Sequence, residues 1–274
     1  MITVKTITTI EELGPIIFDQ DYSKEMGRYR SRMLYKGLSN AQWHLSTSLY
    51  RNCMAKKNEL EETILRSFTK YASSEDPALK DSVWRQLIIG QHHGLPTRML
   101  DWTYSPLIGL HFATSAEPVK LGTRDALLWK IDGKELNERL PDKYQRELKN
   151  SNAHMYTVEM LQRVTDSLRE YDLDMKDHAM VLMEPPSIDQ RIINQYASFT
   201  IVPPGIESAD GTCTIEQWLD KNTENTVKYI IDKDIIWRIR DMLDQMNLNE
   251  RIIYPGLDGL SQWLMRRYYV MNRE

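Results

Sequence analysis

Over residues 1–7 β-branched positions interleave with polar ones, and then the period lengthens so that Ile10, Leu13 and Ile17 share one helical face. A strand followed by a short helix over residues 9–18 is predicted. Residues 31–37 and 43–49 read as two strands around a turn at Ser39-Asn40. Asn58, with Glu61 three positions on, has the form of an N-cap and its box partner, opening a helix marked by Leu60, Ile64, Phe68 and Tyr71. A second helix carries Leu79, Val83, Trp84, Leu87 and Ile88 and runs into an irregular segment at residues 90–96. Pro106 suits the first turn of a helix that is apolar nearly all round and therefore buried, and residues 125–131 follow as a strand. From 133 to 177 charge is dense and periodicity weak, which predicts mobile or peripheral helices. Short strands are expected at 179–183, before Pro185-Pro186, and at 197–202, where Pro203-Pro204 stops the run, with a brief helix at 188–195 between them. A strand at 227–231 precedes two amphipathic helices, one marked by Ile235, Ile236, Ile239, Leu243 and Met246. The other is marked by Leu257, Leu260, Trp263, Leu264 and Tyr268, with Arg266 and Arg267 at its negative end.

Strands scattered among helices without a strict βαβ rhythm predict an α+β fold, with a mixed, mainly antiparallel sheet flanked by helices. No internal repeat, low-complexity tract or linker interrupts the chain. One large domain over 1–274 is expected, with a charged, mobile segment at about 133–178.

Composition narrows the function classes. At 274 residues, 41% hydrophobic and 27% charged, the chain can close a sizeable core. A formal net charge of −4 argues against bulk nucleic-acid binding, while leaving room for a local basic patch. Only 12 glycines and 11 prolines argue against glycine loops wrapped around phosphates. Two cysteines, Cys53 and Cys213, fit neither a disulfide framework nor a metal knuckle, so a reducing cytoplasm is the expected location. Neither a signal peptide nor an apolar run long enough for a membrane helix is visible, so no membrane partner is expected. Trp and Tyr, at 7 and 14 against 4 Phe, favour surfaces where apolar rings meet water or ligand.

The motifs of serine hydrolases, P-loop enzymes, dinucleotide-binding Rossmann domains and zincins are all missing from the sequence. Gly256-Leu257-Asp258-Gly259 has the spacing of a KH loop but lacks basic surroundings. The densest polar cluster is QHHGLPTRMLDWT, residues 91–103, a loop flanked by apolar helical segments that can aim donors and acceptors into a cleft. A structural role competes: Arg98 can pair with Asp101, and His92 or His93 can cap the preceding helix. A metal is not expected, because adjacent histidines project differently and no acidic partner stands at a ligand-like interval.

Tyr35-Lys36-Gly37, Leu38-Ser39-Asn40 with Trp43, the stretch 45–51, the cluster 91–103, Ser105-Pro106 and residues 110–113 together resemble the FRG domain, a family named for a Phe/Tyr-Arg-Gly tripeptide. Further similarity runs through residues 126–129, Arg191-Ile192, Gln195, residues 198–200 and 254–258. The resemblance implies a bacterial or phage-borne protein from a mobile-element or defence context. Lys36 departs from the family arginine, keeping the charge but losing the bidentate fork.

Two functions compete. In the first, the protein is a nucleotide-directed enzyme resembling one class of NAD-using ADP-ribosyltransferases. Lys36 and Gly37 then hold a pyrophosphate, a Ser46-Thr47-Ser48 strand supports the nicotinamide pocket, and Gln195 positions the ribose. His92, His93, Asp101 and Gln195 are its candidate catalytic residues, and Lys36, Gly37, Ser46, Arg98 and Trp102 its candidate ligand-binding ones, with NAD as candidate substrate and no metal. In the second, His92, His93, Arg98, Asp101 and Trp102 form a non-catalytic recognition loop for a small anion, a nucleotide or a protein partner. A metal-assisted nuclease built from His92, His93 and Asp101 ranks behind both, since an acidic chain holds a polyanion poorly.

Overall fold

The alternating start of the chain forms β1 (Thr3–Ile7), and a 3-10 turn leads into the short helix α1 (Gly14–Ile17). These are the first elements of a computed structural model that describes residues 1–176 and 178–271. A small hairpin, β2 (Asp21–Ser23) and β3 (Arg28–Arg30), precedes β4 (Met33–Leu38). Three helices follow, α2 (Ser48–Cys53), α3 (Lys57–Ala72) and α4 (Val83–His92), then β5 (Met99–Thr103), α5 (Pro106–Ala113) and β6 (Ala126–Asp132). The charged middle forms α6 (Gly133–Glu138), α7 (Asp142–Asn150), α8 (Val158–Val164) and α9 (Leu168–Met175). The last part runs β7 (Val181–Met183), α10 (Gln190–Asn194), β8 (Ala197–Ile201), α11 (Ile215–Asn222) and β9 (Val227–Ile231). It closes with α12 (Ile236–Gln245), α13 (Glu250–Ile253) and α14 (Leu257–Arg267).

Seven strands form one mixed sheet in the order β1-β9-β6-β4-β5-β8-β7, antiparallel throughout except for the parallel pair β1 and β9. The fold is α+β, as the irregular spacing of strands predicts. Alternation along β4 splits its side chains between two cores. Leu34 joins Trp102, Trp129 and Ile131, whereas Tyr35 joins Leu110, Ala113 and Leu128. Helix α5 lies directly against β4. A Cβ at Gly37 would stand 2.1 Å from the Gly109 carbonyl oxygen and 2.2 Å from the Ala113 nitrogen, so only glycine admits this approach.

The joint between β4 and β5 is short. β4 pairs β6 over six residues, from Met33 opposite Asp132 to Leu38 opposite Leu127, but pairs β5 only at Tyr35 opposite Thr103. Beyond that pair the strands part, and the gap opens beside Lys36-Gly37-Leu38 and Asp101-Trp102.

Several expectations change. Residues 43–49 form no strand. Leu45, Thr47 and Leu49 are buried in alternation, as in a strand, yet the stretch joins no strand ladder and runs through the cap of α2 into its first turn. Thr47 is extended and its hydroxyl accepts from the Tyr50 N–H. Helix α3 begins at Lys57, with Asn58 inside its first turn, and its buried face is Lys57, Glu61 and Leu65, while Leu60 and Tyr71 are exposed. The helix expected from Leu79 onward is divided: Pro77–Lys80 is a separate 3-10 turn, and α4 starts after Ser82. The second part of QHHGLPTRMLDWT is not loop but strand β5, an interior strand of the sheet. In the 133–177 region helices do form, and Tyr144, Leu161, Tyr171 and Met175 are fully buried in a core with Trp84 and Leu87. Asp177, and the last three residues of the expected 1–274 domain, lie outside the described residues. No helix among the described residues is long and apolar enough to cross a membrane.

Candidate functional site

Helix α4 runs through Gly90, Gln91 and His92, which the sequence pattern assigns to an irregular segment, and stops only after them. The N–H of Leu95 donates to the Gly90 carbonyl at 2.8 Å and that of Gly94 to the Gln91 carbonyl at 3.0 Å, the paired bonds of a Schellman cap. Gly94 supplies the required positive φ of 82°, and Pro96 prevents continuation. This tight stop leaves Gln91 and His92 in the last helical turn, beside the gap between β4 and β5.

A cavity of about 350 Å³ occupies that gap. Its wall includes Lys36 and Gly37 from β4, Asp101 and Trp102 from β5, Gln91 and His92 from α4, Arg191 from α10, and Gln195. Phe112 and Trp43 add aromatic surface. Its size falls in the usual range for small-molecule sites, and its lining mixes rings with a few convergent polar groups.

Lys36 and Asp101 are coupled across the gap. The Lys36 Nζ donates to the Asp101 backbone carbonyl at 3.2 Å and lies 3.7 Å from its carboxylate. Burial pulls the Lys36 amine below its ordinary pKa, with Asp101 opposing that shift. The Asp101 side chain is 56% exposed, so its carboxylate faces the cavity. Gln91 steadies it, with its amide nitrogen 2.9 and 3.0 Å from the two carboxylate oxygens. The Thr97 hydroxyl donates to the Gln91 amide oxygen at 2.6 Å, which sets that amide's orientation.

His92 forms a dyad with Asp189. The two lie 2.5 Å apart through the ring Nε2, and the imidazole is only 8% exposed. Asp189 also caps α10, accepting from the Ile192 N–H at 3.0 Å. Burial raises the Asp189 pKa, but the hydrogen bonds from Ile192 and His92 outweigh it and hold the carboxyl below its ordinary value. Gln195 is held at two points: its carbonyl accepts from the Thr103 hydroxyl at 2.8 Å and its side-chain amide donates to the Ile253 carbonyl at 3.4 Å.

The remaining candidates sit elsewhere. Arg98 is buried, and its guanidinium is held by the carboxylates of Glu61 and Asp172, so it pairs with neither Asp101 nor the cavity. His93 is exposed outside the cavity wall; its backbone caps α4 and its ring packs edge-on against His92, centroids 5.0 Å apart. Ser46 precedes the α2 cap and accepts from Arg51 through its carbonyl. Ser46-Thr47-Ser48 is thus a helix start, not a pocket strand. Trp102 is 3% exposed and its indole N–H donates to the Thr200 hydroxyl at 3.1 Å, so it contributes an anchored wall. Among the described residues no group of three or more His, Cys, Asp or Glu is placed to hold a metal.

Sequence reasoning did not single out Gln91, Asp189 or Arg191 as site residues. Gln91 lay within the motif, and the N-cap position of Asp189 before Gln190 was a local signal for a helix start, though not for a histidine partner. The Arg191 guanidinium stands 5.3 Å over the Tyr254 ring, a partner 63 positions away that no local pattern encodes.

No curated protein and no solved structure matches the chain. A family model does match, over residues 31–120, from the start of β4 through β5 and α5, the interval that supplies Lys36, Gly37, Gln91, His92, Asp101 and Trp102 to the cavity. That model is the FRG domain's, so the FRG match belongs to residues 31–120 of the chain.

Proposed function

We propose that the cavity binds a nucleotide and that the protein acts on it. The observation carrying this reading is the convergence of Lys36, His92, Asp101 and Gln195, from separate elements, on one aromatic-walled cavity. Lys36 and Arg191 supply positive charge for a phosphate, the rings of Phe112 and Trp43 supply surface for a base, and Asp101 offers an exposed carboxylate for a ribose. In ADP-ribosyl transfer from NAD the glycosidic bond breaks, nicotinamide leaves with the bonding electrons, and an oxocarbenium-like ribose forms. Asp101 would stabilise that cation, and His92, oriented by Asp189, would take the proton of the incoming acceptor. An effector role in phage defence or a mobile element rests on the family resemblance alone.

One observation favours a second reading, a module that binds without turnover: Lys36, Gln91 and Asp101 already satisfy one another. One experiment addresses both. Calorimetric titration with NAD and ADP-ribose, alongside chromatography for released nicotinamide, should show binding and release in the wild type. Lys36→Ala and Asp101→Asn should each weaken binding by about tenfold or more. Binding without release selects the module, and no binding of any nucleotide overturns the nucleotide reading.

A further inference from the structure

A second cavity, of about 270 Å³, shares Ser39 and Trp43 with the first. The charged residues on its wall are Lys120 and Arg124, with no carboxylate among them. Lys120 is already paired with Glu117 at 2.7 Å, whereas Arg124 has no carboxylate partner among the described residues. The guanidinium is thus the free cation of this compartment, and a planar fork suits a phosphate.

The shared wall is rigid. The Asn40 side chain accepts from the Gln42 N–H at 3.0 Å, the Trp43 N–H donates to the Asn40 carbonyl at 3.1 Å, and the Ala41 N–H donates to the Asp125 carbonyl at 2.7 Å. On this fixed turn Trp43 is 51% exposed. A tryptophan held half in water between two cavities is placed to stack on a ring.

We propose that the two cavities are halves of one cleft for a dinucleotide-class ligand, with one nucleoside half beside Lys36 and Asp101, the second, phosphate-bearing half at Arg124, and Trp43 as the stacking platform between them. This rests on the nucleotide reading of the first cavity and extends it to the size and charge of the ligand.

The test compares NAD with nicotinamide mononucleotide, which fills one half only. Arg124→Ala, an exposed site whose melting temperature should match the wild type, is expected to weaken NAD by about tenfold and to leave the mononucleotide within about twofold. Trp43→Phe should abolish most of the fluorescence quenching that NAD produces. If Arg124→Ala binds NAD as the wild type does while Lys36→Ala still weakens the mononucleotide, the two-part cleft is overturned and the first-cavity reading stands. If neither ligand binds the wild type, the nucleotide reading falls and takes this inference with it.

Discussion

A buried guanidinium is stable only where carboxylates meet its donors, and Arg98 meets two, Glu61 from α3 and Asp172 from α9. From sequence the nearest acid, Asp101, was an equally good partner, since Glu61 and Asp172 lie 37 and 74 positions away. Only the tertiary arrangement decides between them. Arg98→Met should therefore cost about 3–5 kcal/mol in urea unfolding, because it strands two acids, and Arg98→Lys should recover little of it without the fork. Lys36 shows the reverse case. Its position beside the cavity was legible from the family tripeptide, and the cause of the neighbouring glycine, the approach of α5, was not.

At the scale of elements, legibility followed length. Residues 43–49 alternate in burial as their pattern says, but a pattern reports which side is buried and not whether a ladder partner exists. The helices α6 to α9 each have fewer than ten residues, so one or two apolar positions per face carry no clear period, although those positions are core. The start of α2 is the point most open to test. Thr47 caps the helix, and its N–H and hydroxyl both bond the Glu207 carboxylate, which is 5% exposed. Thr47→Val removes the cap and one partner of a buried acid, and is expected to lower stability by about 1–3 kcal/mol in thermal or urea unfolding.

For the molecule as a whole, acid sensitivity has an identifiable source. His111 is fully buried in α5, and its Nδ1 lies 3.0 Å from the Arg240 guanidinium, an arrangement that requires a neutral ring. Burial first, and then the charges of Arg240 and Arg266, hold its pKa well below 6.5. Below about 6.5 the unfolded chain takes up a proton that the folded chain refuses, so stability falls as pH drops, by at most roughly 1.4 kcal/mol per pH unit for this group. Urea unfolding at neutral and mildly acidic pH should show that slope, and His111→Gln should flatten it. The sheet itself carries another consequence. With β4 and β5 joined at one residue pair, it is built as a group of four strands and a group of three, with the cavity on the seam between them. Whatever occupies the cavity touches both groups of strands at once, so a ligand there would brace the narrowest joint of the sheet, and β4 and β5, both inside the interval that matches the FRG model, are the two edges of that joint.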